Sequence, residues 1–132
     1  MAIKHTAVSY YGLNYVEHAE KDFIEMKEHG CDTVILAITE FDMDTTPGQF
    51  ADALDASRAA GMKGLIIDLR ANPGGSLDAV LNVARNILPK GLITYPEDRE
   101  GKRKEYSGDG KRVLEVPLVV LIDGNSASAS EI

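Results

Sequence analysis

The sequence predicts an α/β protein with a mainly parallel sheet, helices on both faces and one β-hairpin. Three observations indicate this fold. Apolar runs that suit buried strands alternate with amphipathic stretches, repeating at a spacing of roughly thirty residues. The amphipathic stretches begin at residues that cap helices and end at glycine or proline. A charged segment before the final strand has the pattern of a hairpin.

The composition limits the classes of function. A chain of 132 residues can bury one core and is too short for two ordinary domains. The net charge of −7 excludes a typical nucleic-acid surface. We find no apolar run long enough for a membrane span and no signal-peptide pattern at the start. Cys31 is the single cysteine, so no internal disulfide is expected and the compartment stays open. We expect no cofactor and no bound metal.

The first two βα units are read from their strands and caps. The first has a short strand over Thr6–Tyr10 and a helix over about Tyr15–His29, where apolar residues share one face. The second has a buried strand over Thr33–Ile38. Thr46 with Gln49 has the spacing of a capping box, which predicts a helix that runs to about residue 60.

The stretch Gly64–Gly75 organises the third unit. Its apolar run suits a strand covered on both faces, and the Asn-Pro-Gly-Gly segment at its end must form a loop. Ser76 is placed to cap a helix over about Leu77–Leu88, which has the clearest amphipathic pattern in the chain. A loop of backbone N–H groups at a helix N-terminus favours an anion or the oxyanion of acyl transfer.

The last third changes character. Leu92–Tyr95 and Lys102–Tyr106 are predicted to pair as a hairpin around the turn Glu97–Gly101. Val116–Ile122 is predicted to be a buried strand. A serine-rich segment follows it, and a serine at a strand-to-helix turn can present its hydroxyl beside free N–H groups. We expect Ser126–Ile132 to be mobile or only weakly helical, because too few residues remain for a stable helix.

Two smaller clusters of charge allow different interpretations. Glu40, Asp42 and Asp44 alternate after the second strand and could hold Ca²⁺ or Mg²⁺. Acidic residues also favour the start of a helix, and we prefer that interpretation. Asp68 and Arg70 flank one residue of the third strand, so a structural ion pair is expected between them.

Residues 38–132 closely resemble the core of the carboxyl-terminal processing (tail-specific) serine peptidases. The similarity is carried by LIIDLRANPGG, the helix after it, the charged hairpin and LVVLIDGNSASASEI, with EFDMDTTPGQFADAL ahead of them. It implies a fold related to the Clp-protease/crotonase group, a Ser/Lys dyad and a peptide substrate. By this resemblance Ser128 is the nucleophile. Backbone N–H groups of Gly74 or Gly75, and of Ala129, form the oxyanion hole.

The same resemblance raises a difficulty for activity. In that family the general-base lysine lies downstream of the serine, whereas this sequence stops at Ile132. A serine without a base is a poor nucleophile, so we expect an inactive protein. One alternative is an active serine endopeptidase that cleaves the C-terminal regions of proteins, for which another chain could supply the lysine. Another is a non-enzymatic module that binds a small anion at Gly74–Ser76.

The first forty residues look different. Residues 1–40 resemble the first β-α-β unit of a TIM-barrel glycosidase, by pattern more than by motif. We therefore expect a single domain that is an engineered chimera, with this segment joined to a truncated peptidase core over residues 38–132. A truncated core leaves its last strand without partners, so a homodimer or a strand swap is expected.

Overall fold

The computed structural model describes residues 9–10 and 32–132. Its elements, in chain order, are β1 (Ser9–Tyr10), β2 (Thr33–Ala37), α1 (Thr46–Ala59), β3 (Gly64–Asp68), α2 (Leu77–Arg85), β4 (Gly91–Thr94), β5 (Tyr106–Gly108), β6 (Leu118–Leu121) and a 3₁₀ helix (Ser128–Glu131). β1, β2, β3 and β6 form one parallel sheet in that order, and β4 and β5 form an antiparallel pair. The predicted α/β class, with its parallel sheet, helices and hairpin, is confirmed.

The core lies between one face of the sheet and the two described helices. Val34 and Leu36 of β2 align with Leu65 and Ile67 of β3, and all four side chains are 5% exposed or less. The same apolar cluster contains residues from both helices, namely Phe50 and Leu54 of α1 and Ala79, Val80 and Val83 of α2. Burial of this shared row therefore sets the register of the two central strands.

The start of α1 differs from the predicted capping box. Thr45, not Thr46, is the N-cap residue, and its side chain makes no capping hydrogen bond. The Thr46 hydroxyl is instead buried, donates to the Glu40 carbonyl at 2.9 Å and accepts from the Asp42 N–H at 3.0 Å. The Thr46–Gln49 prediction is wrong because this hydroxyl holds the preceding loop rather than the helix end.

α2 begins as predicted and ends early. The Ser76 side chain accepts a hydrogen bond from the Ala79 N–H, which confirms Ser76 as the N-cap. The regular helix ends at Arg85 rather than at Leu88. Beyond it, the Ile87 N–H bonds the Ala84 carbonyl at 3.1 Å in a tighter turn.

The hairpin pairs different residues from those predicted. Its second strand is Tyr106–Gly108 rather than Lys102–Tyr106, and Gly91 pairs with Gly108. Residues 97–105 are all exposed and contribute only an isolated bridge between Glu97 and Arg103. Consecutive charged side chains offer no apolar face, so the ordered pairing moves to the segment after them.

The final strand was predicted to be buried, and that prediction is wrong. β6 is an edge strand, since β3 is its one partner among the described residues. Val119 is 52% exposed and Val120 is 45% exposed. Because neighbouring strand residues point to opposite sides, both faces of β6 are open. The expected homodimer or strand swap stays a prediction.

The structure can be compared with only some of the predictions for the two ends of the chain. Ser9–Tyr10 pairs parallel with β2, within the predicted first strand, whereas the predicted helix over Tyr15–His29 lies outside the described residues. The C-terminal segment forms a short 3₁₀ turn in which Ala129 and Ser130 are buried, and the expected mobility of Ser126–Ile132 stays a prediction. Among the helices of the described part, none has the length and apolar character to cross a bilayer.

Truncating a core leucine tests this packing. Leu54 is 0% exposed in the core cluster, so Leu54→Ala should lower the free energy of unfolding by about 2–5 kcal/mol. Leu92→Ala removes the same atoms from a side chain that is 52% exposed. It should change the free energy of unfolding by about 0.5 kcal/mol or less. Urea unfolding measures both. Equal losses in the two variants would contradict the assigned core.

Candidate active site

Three loops meet at one edge of the sheet. β2, β3 and β6 run parallel, so their carboxyl ends lie on the same side, where α/β proteins bind ligands. The loops that follow these strands span residues 38–45, 69–76 and 122–127. All the residues that the resemblance implies for catalysis lie on the second of these loops and on the 3₁₀ helix that follows the third.

The Pro-Gly-Gly loop is fastened to the loop after β2. The Phe41 N–H donates to the Gly74 carbonyl at 2.8 Å, and the Ser76 N–H donates to the Phe41 carbonyl at 2.7 Å. Phe41 is 2% exposed, so this short parallel bridge to Gly75 is anchored in the core. A side chain at Gly75 would collide with the Phe41 carbonyl, and its φ of +131° already favours glycine.

Gly74 brings the Pro-Gly-Gly loop against Ser128. A Cβ at Gly74 would lie 2.7 Å from the Ser128 Cβ and 2.9 Å from the Ala129 nitrogen. Its φ of +106° is also unfavourable for other residues. The close contact between the Pro-Gly-Gly loop and Ser128 is therefore possible only because Gly74 has no side chain. It brings Gly74, Ser128 and Ala129 next to one another.

The three serines of the SASAS segment have different environments. The Ser126 hydroxyl donates to the Leu69 carbonyl at 2.7 Å, and the Ser130 hydroxyl donates to the Asn72 carbonyl at 3.1 Å. Within residues 32–132, no protein group forms a hydrogen bond with the exposed Ser128 hydroxyl. Of the three hydroxyls, that of Ser128 is thus the one left for chemistry.

The backbone of Ser128 is strained. Its φ is +56°, in the left-handed region that residues with side chains seldom adopt. Its N–H, the first of the 3₁₀ helix, donates to the Glu131 carboxylate at 2.8 Å. Strained residues of this kind concentrate at functional sites.

The backbone N–H groups near Ser128 are not equivalent. The Gly74 N–H donates to the Asn72 side-chain oxygen at 2.8 Å, and the Ser76 N–H is taken by Phe41. In the described part of the chain, the N–H groups of Gly75 and Ala129 have no protein acceptor. These two donors are the ones available to a bound oxyanion or anion.

Two carboxylates beside the site are held by hydrogen bonds. Arg70 donates to both oxygens of Asp68, at 2.9 and 2.7 Å, which confirms the expected ion pair. These bonds lower the pKa of Asp68, against the opposing effect of burial. The Asp123 carboxylate accepts from the N–H groups of Ala71 and Asn125, which lower its pKa. Asp123 thereby ties the loop after β6 to the loop after β3.

The acidic residues after β2 make hydrogen bonds within their own loop. Asp42 accepts hydrogen bonds from the Asp44 N–H and from both the N–H and the hydroxyl of Thr45, each at 3.0 Å. Glu40 contributes its carbonyl to Thr46. Within the described residues, no group of three or more potential ligands is arranged to hold a metal ion.

Sequence patterns do not single out Asn72 or Asp123, although both join the loops of the site. An asparagine before Pro-Gly-Gly and an aspartate before Gly-Asn are ordinary turn residues. Only the fold shows that their bonds reach across to Ile38 and Ala71.

The chain belongs to peptidase family S41, whose family model matches residues 32–132. A carboxyl-terminal-processing protease from Synechocystis sp. is 42% identical over 84 residues, covering 64% of this chain and 20% of the relative. The carboxy-terminal processing protease CtpA of Bacillus subtilis is 33% identical over 114 residues, covering 86% of this chain and 24% of the relative.

A solved structure supports the same assignment. A photosystem II D1 C-terminal processing protease superposes with a TM-score of 0.68 at 35% identity, covering 72% of this chain and 25% of that protein. The chain thus spans about a fifth to a quarter of the length of these relatives.

A pair of glycine variants tests the loop contact. Gly101→Ala adds a methyl group in open space at φ +80°, and should cost only backbone strain of about 1–2 kcal/mol. Gly74→Ala adds strain and a collision with Ser128, so its loss should be greater by about 1–3 kcal/mol. Urea unfolding gives both values. A Gly74→Ala loss no larger than that of Gly101→Ala would contradict the contact.

The Asp68–Arg70 pair predicts a pH dependence. The folded-state pKa of Asp68 is lowered, so its contribution to stability is complete above its ordinary pKa of about 4. That contribution is lost as the pH falls through the folded-state value. Asp68→Asn should flatten the acid side of a plot of unfolding free energy against pH. An equally steep acid side in the variant and the parent would contradict this role.

Proposed function

We propose that the chain carries the nucleophile and oxyanion hole of a serine endopeptidase of family S41. Ser128 is the nucleophile, and the N–H groups of Gly75 and Ala129 are the oxyanion donors. The observation that carries the proposal is the contrast among the three serines, of which Ser128 alone keeps its hydroxyl free of protein partners. The left-handed backbone at Ser128 adds support, because strained turns also present the nucleophile in other hydrolases.

The proposed chemistry is acyl transfer. The Ser128 Oγ attacks the scissile carbonyl carbon while its proton passes to a general base. The carbonyl oxygen gains the negative charge and accepts hydrogen bonds from Gly75 and Ala129. The base then returns the proton to the leaving amine, and water hydrolyses the acyl-enzyme. We assign Gly74 to the contact with Ser128 rather than to the oxyanion hole, since its N–H bonds Asn72.

The general base is the missing part of this proposal. Among the described residues, no lysine forms a hydrogen bond with Ser128, and the resolved lysine ion pair joins Lys111 to Asp109. We therefore propose that the 132-residue chain by itself turns over slowly or not at all, because loss of a catalytic partner typically costs about 10⁴–10⁶ in rate. Efficient cleavage by this chain alone is the alternative, and the experiment below separates the two.

The substrate class follows from the relatives. Those from Synechocystis sp. and Bacillus subtilis are carboxyl-terminal processing proteases. We propose that the complete site acts on the C-terminal regions of proteins. Binding of a small anion at Gly74–Ser76 is less favoured, since two of the three N–H groups there already have protein acceptors.

The origin of the first segment also enters the proposal. An alignment of 114 residues with the Bacillus subtilis relative is longer than residues 32–132, so it includes residues ahead of Asp32. This favours a single peptidase origin over an engineered fusion with a TIM-barrel unit.

A fluorophosphonate probe tests the nucleophile. We expect slow labelling at Ser128 that accelerates as imidazole is added, because the free imidazole supplies a base. Mass spectrometry of the labelled peptide locates the adduct. Ser128→Ala should abolish the labelling. Ser126→Ala should retain it, because the Ser126 hydroxyl bonds the Leu69 main-chain carbonyl.

The outcomes separate the alternatives. Rapid labelling without imidazole would favour the active endopeptidase. Labelling that persists in Ser128→Ala, or none at any imidazole concentration, would overturn the proposed nucleophile.

A further inference from the structure

Asn72 is a polar side chain in a fully buried position. It is 0% exposed, and both halves of its carboxamide are hydrogen-bonded. The Nδ2 donates to the Ile38 carbonyl at 2.7 Å, and the Oδ1 accepts from the Gly74 N–H at 2.8 Å. Because one neighbour is an acceptor and the other a donor, the orientation of the amide is determined. A buried amide is tolerated when it is satisfied in this way.

The main chain of Asn72 reaches the other loop. Its carbonyl accepts from the Ala127 N–H at 3.1 Å and from the Ser130 hydroxyl at 3.1 Å. These two residues lie on either side of Ser128. A single residue thus contacts the end of β2, the Pro-Gly-Gly loop and the segment that carries the nucleophile.

We propose that Asn72 is the positioning residue of the oxyanion hole, an inference that rests on the proposed function of Ser128. Its carboxamide accepts from the Gly74 N–H and so holds the Pro73–Gly74 peptide plane. The next plane, whose carbonyl accepts from the Phe41 N–H, carries the Gly75 N–H, which can then donate to the same oxyanion as the Ala129 N–H. The Asn72 carbonyl accepts from Ala127 and Ser130 and so holds the segment that contains Ala129. Asn72 acts through these groups and does not touch the substrate.

The side chain at position 72 must donate to the Ile38 carbonyl and accept from the Gly74 N–H, and asparagine has the size and the groups to do both. In Asn72→Asp, an ionised carboxylate would face the Ile38 carbonyl without a proton, and two acceptors repel. A protonated carboxyl restores the donor, so low pH should repair the variant. Burial favours the neutral form and raises the pKa of the introduced group above the ordinary value of about 3.9. The charged groups on the elements around Asn72 are Glu40, Asp42 and Asp44 after β2, Asp68 and Arg70 at the end of β3, Asp123 after β6 and Glu131 in the 3₁₀ helix.

The first arm of the test is structural and needs no activity. Amide NMR follows Gly74, Gly75 and Ala129 in the parent and in Asn72→Asp from pH 9 to pH 4.5. We expect the Gly74 signal of the variant to titrate with the introduced carboxyl and to approach the parent position at low pH. Gly74 and Gly75 signals that match the parent at every pH would overturn the inference.

The second arm measures labelling of Ser128 by the fluorophosphonate with imidazole present. The ratio of the variant rate to the parent rate at each pH cancels the titration of imidazole. We expect this ratio to fall by about 10–100-fold at high pH, as a misplaced catalytic geometry would cause. It should recover as the pH falls, over the same range in which the Gly74 signal titrates. A general loss of folding would not give this matched recovery.

Asn86→Asp is the matched control. The Asn86 Nδ2 also donates to a main-chain carbonyl, that of Asn82 at 2.8 Å, at the end of α2. The same substitution there should leave the labelling ratio near one at each pH. An equal fall in Asn86→Asp and Asn72→Asp would overturn the positioning role.

The two proposals fail in different ways. If Asn72→Asp labels like the parent while Ser128→Ala does not label, the inference about Asn72 is wrong and the nucleophile stands. If the parent is not labelled at all, the proposed function fails, and the inference that rests on it fails too. The NMR arm would then still show whether Asn72 sets the Gly74 amide.

Discussion

The buried carboxamide of Asn72 is the interaction on which the candidate site depends. Three loops leave the sheet at the same edge, and loops with exposed ends do not by themselves adopt one relative position. Asn72 bonds the Ile38 carbonyl of the first loop and the Gly74 N–H of the second, and its carbonyl accepts one bond from the third loop and one from the 3₁₀ helix after it. Its complete burial excludes water from these bonds, so breaking any of them leaves an unsatisfied polar group.

Much of the fold could be predicted from the sequence because the relevant signals are local. The apolar run of β3, the Ser76 cap and the Pro-Gly-Gly loop all follow from side chains that lie close together in the chain. The exposure of β6 could not be predicted in this way. Its apolar pattern is that of a buried strand, whereas its burial depends on which elements lie beside it. The Thr46 prediction fails for a different reason, because its hydroxyl bonds residues four and six positions earlier in the loop after β2 and not the helix that it precedes.

The residues of the candidate site could be predicted from the sequence, but the role of each residue could not. The sequence brings Ser128, Gly74, Gly75 and Ala129 to attention through one resemblance, and the fold places Gly74, Ser128 and Ala129 in contact. The distinction between Gly74 and Gly75 needs the position of a single hydrogen bond across two residues. The distinction among the three serines needs the carbonyls to which the Ser126 and Ser130 hydroxyls donate, which lie on the loop after β3, more than fifty residues away.

The left-handed backbone of Ser128 has an evolutionary consequence. An L-residue with a side chain gives up roughly 1–2 kcal/mol in that conformation, and glycine gives up almost nothing. A lineage released from the need for this hydroxyl would gain folding stability by replacing the serine with glycine, without rearranging its neighbours. A homologue with glycine at this position would keep the turn and lose the oxygen, so such a replacement would mark a lineage in which the hydroxyl is no longer needed.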